Sequence, residues 1–169
     1  GDVCVSLEPL YTEDAVDFSE ALPTQGRVEF GVVWAPLPPE LLEAGTMHIH
    51  LSHATGLKAM DRNGFSDPSV KLSLAGQQHK SKTIKKTLNP KWDEYFEFKG
   101  VLRDLLAESL QLHVFDWDMV GKDDKLGNAS IDLRALRGTR ERDYVADLSM
   151  QGRVHLHVSW AAQGQQHAP

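Results

Sequence analysis

Two acidic segments decide the interpretation of this sequence: Met60-Asp-Arg-Asn-Gly-Phe-Ser-Asp-Pro68 and Phe115-Asp-Trp-Asp-Met-Val-Gly-Lys-Asp-Asp-Lys125. Each segment follows an alternating apolar run, a pattern that is typical of a loop at the end of a β-strand. Together they contain the aspartates Asp61, Asp67, Asp116, Asp118 and Asp124. Five carboxylates that meet in one place repel strongly unless cations lie between them. Because clustered oxygen ligands suit Ca²⁺, the sequence predicts a calcium site on a β scaffold.

The overall composition is that of a soluble globular protein. The chain has 169 residues, of which 41% are hydrophobic and 25% are charged. The formal net charge of −6, from 24 acidic and 18 basic side chains, argues against general nucleic-acid binding. The single cysteine, Cys4, excludes an intrachain disulfide, which fits a reducing compartment. No nucleophile–base arrangement or phosphate-binding loop stands out, so the chain is predicted not to be an enzyme.

Strand-like patterns dominate the rest of the sequence. Alternating apolar runs that are separated by glycine, Asn-Pro and Asp-Pro pairs predict an antiparallel β-sandwich. One short helix is predicted over Val101–Ser109, and a second follows Asp132. The predicted strands are Met47–His53, Ser69–Leu74, Lys80–Lys86, Glu94–Phe98, Leu110–Phe115 and Arg153–Trp160.

An internal repeat determines the predicted domain organisation. The stretch Gln25-Gly-Arg-Val-Glu-Phe-Gly-Val-Val-Trp34 is similar to Gln151-Gly-Arg-Val-His-Leu-His-Val-Ser-Trp160, at an offset of 126 residues that holds without a gap from Gly1 to Ala35. Repeats of this kind indicate duplicated structural units. We therefore predict four parts: the C-terminal strands of a preceding repeat (residues 1–37), a linker (38–45), a complete domain (46–162) and a tail (163–169).

The predicted N-terminal part raises a question of packing. About three strands that lack the rest of their sandwich leave strand edges unpaired. Residues 1–37 could exchange with the matching strands of a second chain, because they are similar to residues 127–163. Alternatively, they could pack on the side of their own domain. The sequence leaves both arrangements open.

The two acidic segments, together with Thr87-Leu-Asn-Pro-Lys-Trp-Asp-Glu94 and Leu126-Gly127, resemble the C2 domain. This is the calcium-dependent lipid-binding module of protein kinase C and the synaptotagmins. The resemblance covers roughly Met47–Trp160 and implies an eight-stranded antiparallel β-sandwich with calcium loops at one end. The final strand resembles that of the circularly permuted (type II) topology and, with the repeat, the tandem C2 domains of extended synaptotagmins and tricalbins. An alternative permutation takes Arg27–Trp34 as the first strand of this domain.

The resemblance also implies a ligand set and two lipid-contacting surfaces. The five aspartates match the family's calcium ligands, joined by the backbone carbonyls of Met60 and Trp117, and we expect two Ca²⁺ ions. A third ion is not expected, because Gly121 stands where some members place a serine or threonine. The expected membrane-inserting residues at the loop tips are Arg62, Phe65, Met119, Val120 and Lys122. The basic face that is expected to bind anionic lipid consists of Lys71, Lys80, Lys82, Lys85 and Lys86.

These inferences together predict a calcium-dependent membrane-binding module. It would attach a larger multi-domain protein to membranes that contain phosphatidylserine or phosphoinositide, in membrane tethering, lipid transport or trafficking. The expected location is cytoplasmic and peripheral, at the plasma membrane or at its contacts with the endoplasmic reticulum. Residues 1–37 are expected to contact a neighbouring C2 repeat or a second chain, and no nucleic acid is expected as a partner. The alternative function is a calcium-independent protein-interaction or scaffolding module.

Overall fold

The computed structural model describes residues 4–6, 15–33, 35–118 and 123–163 of the chain. The chain divides into two compact units, Gly1–Pro38 and Pro39–Pro169. The described part of the first unit contains two strands, β1 (Ala15–Ala21) and β2 (Arg27–Val33), which pair as an antiparallel hairpin. Among the described residues of the whole chain, no helix has the length and apolar character needed to cross a bilayer.

The second unit is an antiparallel β-sandwich, which confirms the predicted fold class. Its strands are β3 (Ala44–Thr55), β4 (Pro68–Leu74), β5 (Gln77–Lys80), β6 (Lys91–Val101), β7 (Leu110–Asp116), β8 (Asp124–Ile131), β9 (Glu141–Asp147) and β10 (Arg153–Ala162). Within the described residues these eight strands form two four-stranded sheets, in the orders β6-β3-β10-β9 and β5-β4-β7-β8. The same residues include one α-helix, α1 (Leu102–Ala107), and the 3-10 helices Pro39–Leu42 and Arg134–Arg137.

Alternation along the strands places one face of each sheet in a shared core. Strands β7 and β10 alternate between buried and partly exposed positions, as expected for a sheet with one face in the core. Trp92, Phe98 and Leu112 are fully buried there. Burial of a large apolar side chain of this kind contributes about 1.5–3 kcal/mol to folding. The permuted topology inferred from the final strand remains a prediction.

The structure departs most from the predicted strands in the lysine-rich run. Strand β5 ends at Lys80, and residues 81–86 are irregular, so the strand predicted over Lys80–Lys86 is wrong. The hydroxyl of Ser81 accepts a hydrogen bond of 2.9 Å from the amide of Val70. In a strand that continued, a backbone carbonyl would accept this hydrogen bond instead. Lys86 adopts a positive φ of 56°, which lies outside the strand region and ends the run.

The predicted linker contains regular structure. Within residues 38–45 the structure has the 3-10 helix Pro39–Leu42 and the first two residues of β3. Leu41 is only 4% exposed and belongs to the core, and the carbonyl of Glu43 accepts a hydrogen bond of 3.0 Å from the amide of Leu102. The pattern of three nearby prolines suggested a linker, but one buried leucine attaches this segment to the sandwich.

Candidate metal centre

The two acidic segments meet at one end of the sandwich. Strands β4 and β7 pair so that Pro68 lies opposite Asp116, and β7 and β8 pair so that Asp116 lies opposite Asp124. The amide of Asp67 donates a hydrogen bond of 2.5 Å to Oδ1 of Asp116. The amide of Trp117 donates one of 3.0 Å to the carbonyl of Asp67. Asp67 and Asp116 are 49 residues apart in sequence, and their segments are therefore joined by one hydrogen bond from backbone to side chain and one between backbones.

A tight turn shapes the first acidic loop. The amide of Gly64 donates a hydrogen bond of 3.1 Å to the carbonyl of Asp61, and the φ of Gly64 is +81°, which favours glycine. The buried hydroxyl of Ser66 accepts a hydrogen bond of 3.0 Å from the amide of Met60 and donates one of 2.9 Å to the carbonyl of Lys58. Sequence reasoning did not single out Ser66 as a positioning residue; its signal was the Ser-Asp-Pro motif.

Asp116 lies in an environment that disfavours its negative charge. It is only 2% exposed. Burial raises the pKa of the Asp116 carboxyl, the hydrogen bond from the Asp67 amide opposes this, and the charges of Asp61 and Asp118 raise the pKa further. Asp67 in turn accepts a hydrogen bond of 2.7 Å from the amide of Lys86. A cation placed among these groups would offset both the burial and the repulsion.

The lysine-rich segment contacts the second acidic loop. The ammonium of Lys80 lies 3.5 Å from Oδ2 of Asp123. The ammonium of Lys85 lies 4.9 Å from the centroid of the Trp117 ring, a geometry in which the ring face attracts the cation. The sequence predicted these lysines only as a lipid-binding surface. Their position beside the acidic loop is decided by the tertiary structure.

The carboxylates share one end of the sandwich without forming a closed ligand group. Among the residues that the structure describes, no three His, Cys, Asp or Glu side chains come together in a group that could hold a metal ion. Oxygens of Asp67 and Asp116 accept backbone amides, and unscreened carboxylates repel one another. The side chain of Met60 packs against the core, and the ring of Trp117 is 36% exposed. The roles of these residues as ligands remain predictions.

The predicted lipid-contacting residues are placed in part. Arg62 and Phe65 are exposed, and Phe65 shows 45% of its surface. The predicted tip residues Met119, Val120 and Lys122 lie outside the described residues.

The predicted basic face is built from a pair of strands and the segment after them. Lys71 on β4 lies directly opposite Lys80 on β5, and such cross-strand partners share a face of the sheet. Lys82, Lys85 and Lys86 lie in the irregular segment that follows. Two of the five lysines therefore lie on a regular strand surface, and three lie in the segment that contacts the acidic loops.

The chemistry of the candidate donors fits a hard divalent cation. All five candidate side chains are carboxylates, and the two added donors are backbone carbonyls. Ca²⁺ prefers such oxygen ligands and accepts flexible geometry, whereas thiolates and imidazoles suit softer metals. The donor set therefore fits calcium by its chemistry and by its location on two joined loops.

Comparison with known proteins identifies the sandwich. A sequence model of the C2 domain matches residues 45–148. The chain belongs to the C2 domain family. It is 41% identical over 113 residues to synaptotagmin-3 of Arabidopsis thaliana, a match that covers 65% of this chain and 21% of that protein. It is 34% identical over 147 residues to extended synaptotagmin-3 of Xenopus tropicalis, a match that covers 82% of this chain and 16% of that protein.

Solved structures of C2 domains share this fold. A calcium-bound pair of C2 domains from extended synaptotagmin 2 matches with a TM-score of 0.62 and 30% identity, over 71% of this chain and 46% of that one. A single C2 domain of plant extended synaptotagmin 1 matches with a TM-score of 0.63 and 25% identity, over 73% of this chain and 98% of that one. The resemblance predicted from the motifs is confirmed. This C2 chain spans about a fifth or less of the length of the curated relatives described above.

Proposed function

We propose that this C2 domain binds anionic phospholipid membranes in a calcium-dependent way and so attaches a larger protein to them. The observation that carries the proposal is the direct joining of the two acidic loops through Asp67, Asp116 and Trp117. Membership of the C2 family supports a role at membranes or lipids. The proposed location is cytoplasmic and peripheral, at the plasma membrane or at its contacts with the endoplasmic reticulum.

The proposed calcium ligands are the five aspartates and two carbonyls at this end. Asp67 and Asp116 would form the centre of the ligand set, because their loops are joined, and Asp61, Asp118 and Asp124 would complete it with the carbonyls of Met60 and Trp117. Bound calcium would supply positive charge and coordination positions that lipid phosphate or carboxylate oxygens can fill. Two ions are proposed.

Charge is the proposed basis of the switch. Without cations, the acidic end repels an anionic bilayer. Two bound ions would add four positive charges and nearly neutralise the five carboxylates, and the open coordination positions and neighbouring lysines would then attract anionic lipid. Lysines such as Lys71 and Lys80 would contribute about 1 kcal/mol each near an anionic leaflet. Because coupling between two binding sites is reciprocal, anionic lipid should also raise the affinity for calcium.

Liposome co-sedimentation tests this proposal. The wild-type chain should pellet with vesicles of phosphatidylcholine and phosphatidylserine in calcium and stay in the supernatant in chelator. The double variant Asp116→Asn with Asp118→Asn should lose calcium-dependent pelleting. The control, Asp104→Asn, removes one exposed carboxylate on α1 and should pellet like the wild type. Undiminished pelleting of the double variant would refute the mechanism.

The alternative is a calcium-independent interaction module. It is favoured by one observation: the described carboxylates do not form a closed group of three ligands. Titration calorimetry separates the two functions. Calcium binding that tightens in the presence of phosphatidylserine supports the membrane switch, whereas no heat of binding at millimolar calcium supports the interaction module.

A further inference from the structure

The hairpin of the first unit copies the last hairpin of the second unit pair by pair. In β1 and β2, Ala15 lies opposite Val33 and Ala21 lies opposite Arg27. Adding the repeat offset of 126 residues gives the pairs that the structure shows in β9 and β10, which run from Glu141 opposite Ser159 to Asp147 opposite Arg153. The sequence repeat therefore corresponds to two hairpins with one register.

The turns of the two hairpins also correspond. The amide of Leu22 donates a hydrogen bond of 3.0 Å to the carbonyl of Gly26, and the amide of Leu148 donates one of 2.9 Å to the carbonyl of Gly152. The φ values of these glycines are +98° and +92°, a region that L-residues with a side chain rarely adopt. Both turns thus require glycine at the same position and make the same backbone contact.

The corresponding faces differ in burial. Val154, Leu156 and Val158 of β10 are 0–3% exposed in the core. At the matching positions of β2, Val28 and Phe30 are 40% and 38% exposed. Phe30 stacks on Phe18 of β1, with ring centroids 5.3 Å apart. The first hairpin therefore carries an apolar face of the kind that the second hairpin buries, interrupted near the turn by Glu20, which lies opposite Val28 at the position that matches Ala146.

The strand edges differ in the same way. Strand β10 pairs with β9 on one side and with β3 on the other, whereas β2 pairs with β1 alone in the part of the chain that the structure describes. An isolated two-stranded hairpin is only marginally stable in water. The second unit shows what covers such a hairpin: a strand in the position of β3 and the core of a sandwich.

We propose that residues 15–33 are the last two strands of another C2 sandwich, which is completed by residues that precede Gly1 in the natural polypeptide. The occupant of the apolar face and of the free edge of β2 would be a β3-like strand with its core. A second copy of this chain is a poor occupant, because its β3 already pairs on both edges, with β6 and β10. This inference is independent of calcium binding.

A graft within the full chain tests whether the hairpin has this identity. The sequence of residues 15–33 replaces Glu141–Ser159, which puts Val28, Phe30 and Val32 at the core positions of Val154, Leu156 and Val158. This graft should keep one cooperative unfolding transition, at a lower denaturant midpoint than the wild type. The control graft carries the same residues with Val28 exchanged for Glu29 and Phe30 exchanged for Gly31, which keeps Gly26 and the composition but turns these apolar side chains to solvent, and it should lose the transition. Equal behaviour of the two grafts overturns the proposal.

Amide hydrogen exchange tests the source of the partner. The comparison uses the natural polypeptide extended by about 100 residues before Gly1, a typical domain length. In it, the amides of β2 should exchange roughly 1,000-fold or more slowly than in this chain. This chain by itself should sediment as a monomer. Unchanged protection of β2 in the extended polypeptide overturns the proposal. Protection of β2 in a dimer of this chain also overturns it and identifies a second copy as the partner.

Discussion

Asp116 offers the sharpest test of the charge argument. Replacing it with asparagine keeps the shape of a side chain that is 2% exposed, and the amide oxygen can still accept the hydrogen bond from the Asp67 amide. The change removes a buried negative charge that lies in the field of Asp61 and Asp118. It also weakens a charge-assisted hydrogen bond to a neutral one, a loss of about 1 kcal/mol.

These effects nearly cancel in the absence of calcium. Repulsion between two neighbouring like charges is about 1 kcal/mol in water and a few times larger at a protein surface. Relief of repulsion and burial should therefore equal or exceed the weakened hydrogen bond, and we expect Asp116→Asn to raise the free energy of unfolding by about 0–1 kcal/mol in chelator. For a domain of this size, that raises the melting temperature by no more than about 5 °C.

The effect in calcium has the opposite sign. A ligand at about 100 times its dissociation constant stabilises the folded state by about 2.7 kcal/mol. The wild type should gain this amount, or roughly 10 °C in melting temperature, and the variant should gain almost nothing. Scanning calorimetry in chelator and in calcium measures both values.

The matched control is Asp104→Asn. Asp104 is an exposed aspartate on α1, near the start of β7, and the seven residues of β7 separate that end from Asp116 by roughly 20 Å. The control should keep the calcium-induced rise. A full rise in Asp116→Asn, or a metal-free variant that melts several degrees below the wild type, would refute the reasoning.

Two further predictions concern stability. The hydroxyl of Ser69 is fully buried without a hydrogen-bond partner among the described atoms, so Ser69→Ala should raise the free energy of unfolding, measured in urea, by about 1 kcal/mol. The control Ser73→Ala, at a partly exposed position of the same strand, should change it little. A loss of stability in Ser69→Ala would contradict this prediction. Burial, followed by the neighbouring charges of His53 and Arg153, lowers the pKa of His155, whose ring stacks on that of His53 at 4.2 Å. As the pH falls toward the ordinary histidine pKa of about 6.5, the unfolded chain therefore binds more protons than the folded one, and the free energy of unfolding should fall between about pH 7.5 and about pH 5.5. His155→Gln should flatten this dependence of the free energy of unfolding on pH. Equal dependence in both proteins would show that His155 does not contribute.

The sequence by itself determined the features that depend on short-range pattern. Alternating apolar residues indicated the β-sandwich, because a strand with one face in the core must repeat every two residues. The spacing of Asp61, Asp67 and Asp116 after such runs indicated that the acidic loops lie at strand ends, and the repeat indicated the copied hairpin. The sequence did not predict that β5 ends at Lys80. The strand ends because the Ser81 hydroxyl takes the place of a backbone carbonyl as hydrogen-bond acceptor, and no pattern of side chains indicates this replacement.

Only the tertiary structure decided which groups face one another. The joining of Asp67 to Asp116, the contact of Lys80 with Asp123 and the burial of Leu41 each bring together atoms from distant parts of the chain. The orientation of the Asp67 and Asp116 carboxylates was decided in the same way, since Asp116 accepts the amide of Asp67 from the other acidic loop and Asp67 accepts the amide of Lys86. Periodicity states which side of a strand a residue occupies, but the distance between two charged groups depends on how the sheets and loops pack in three dimensions.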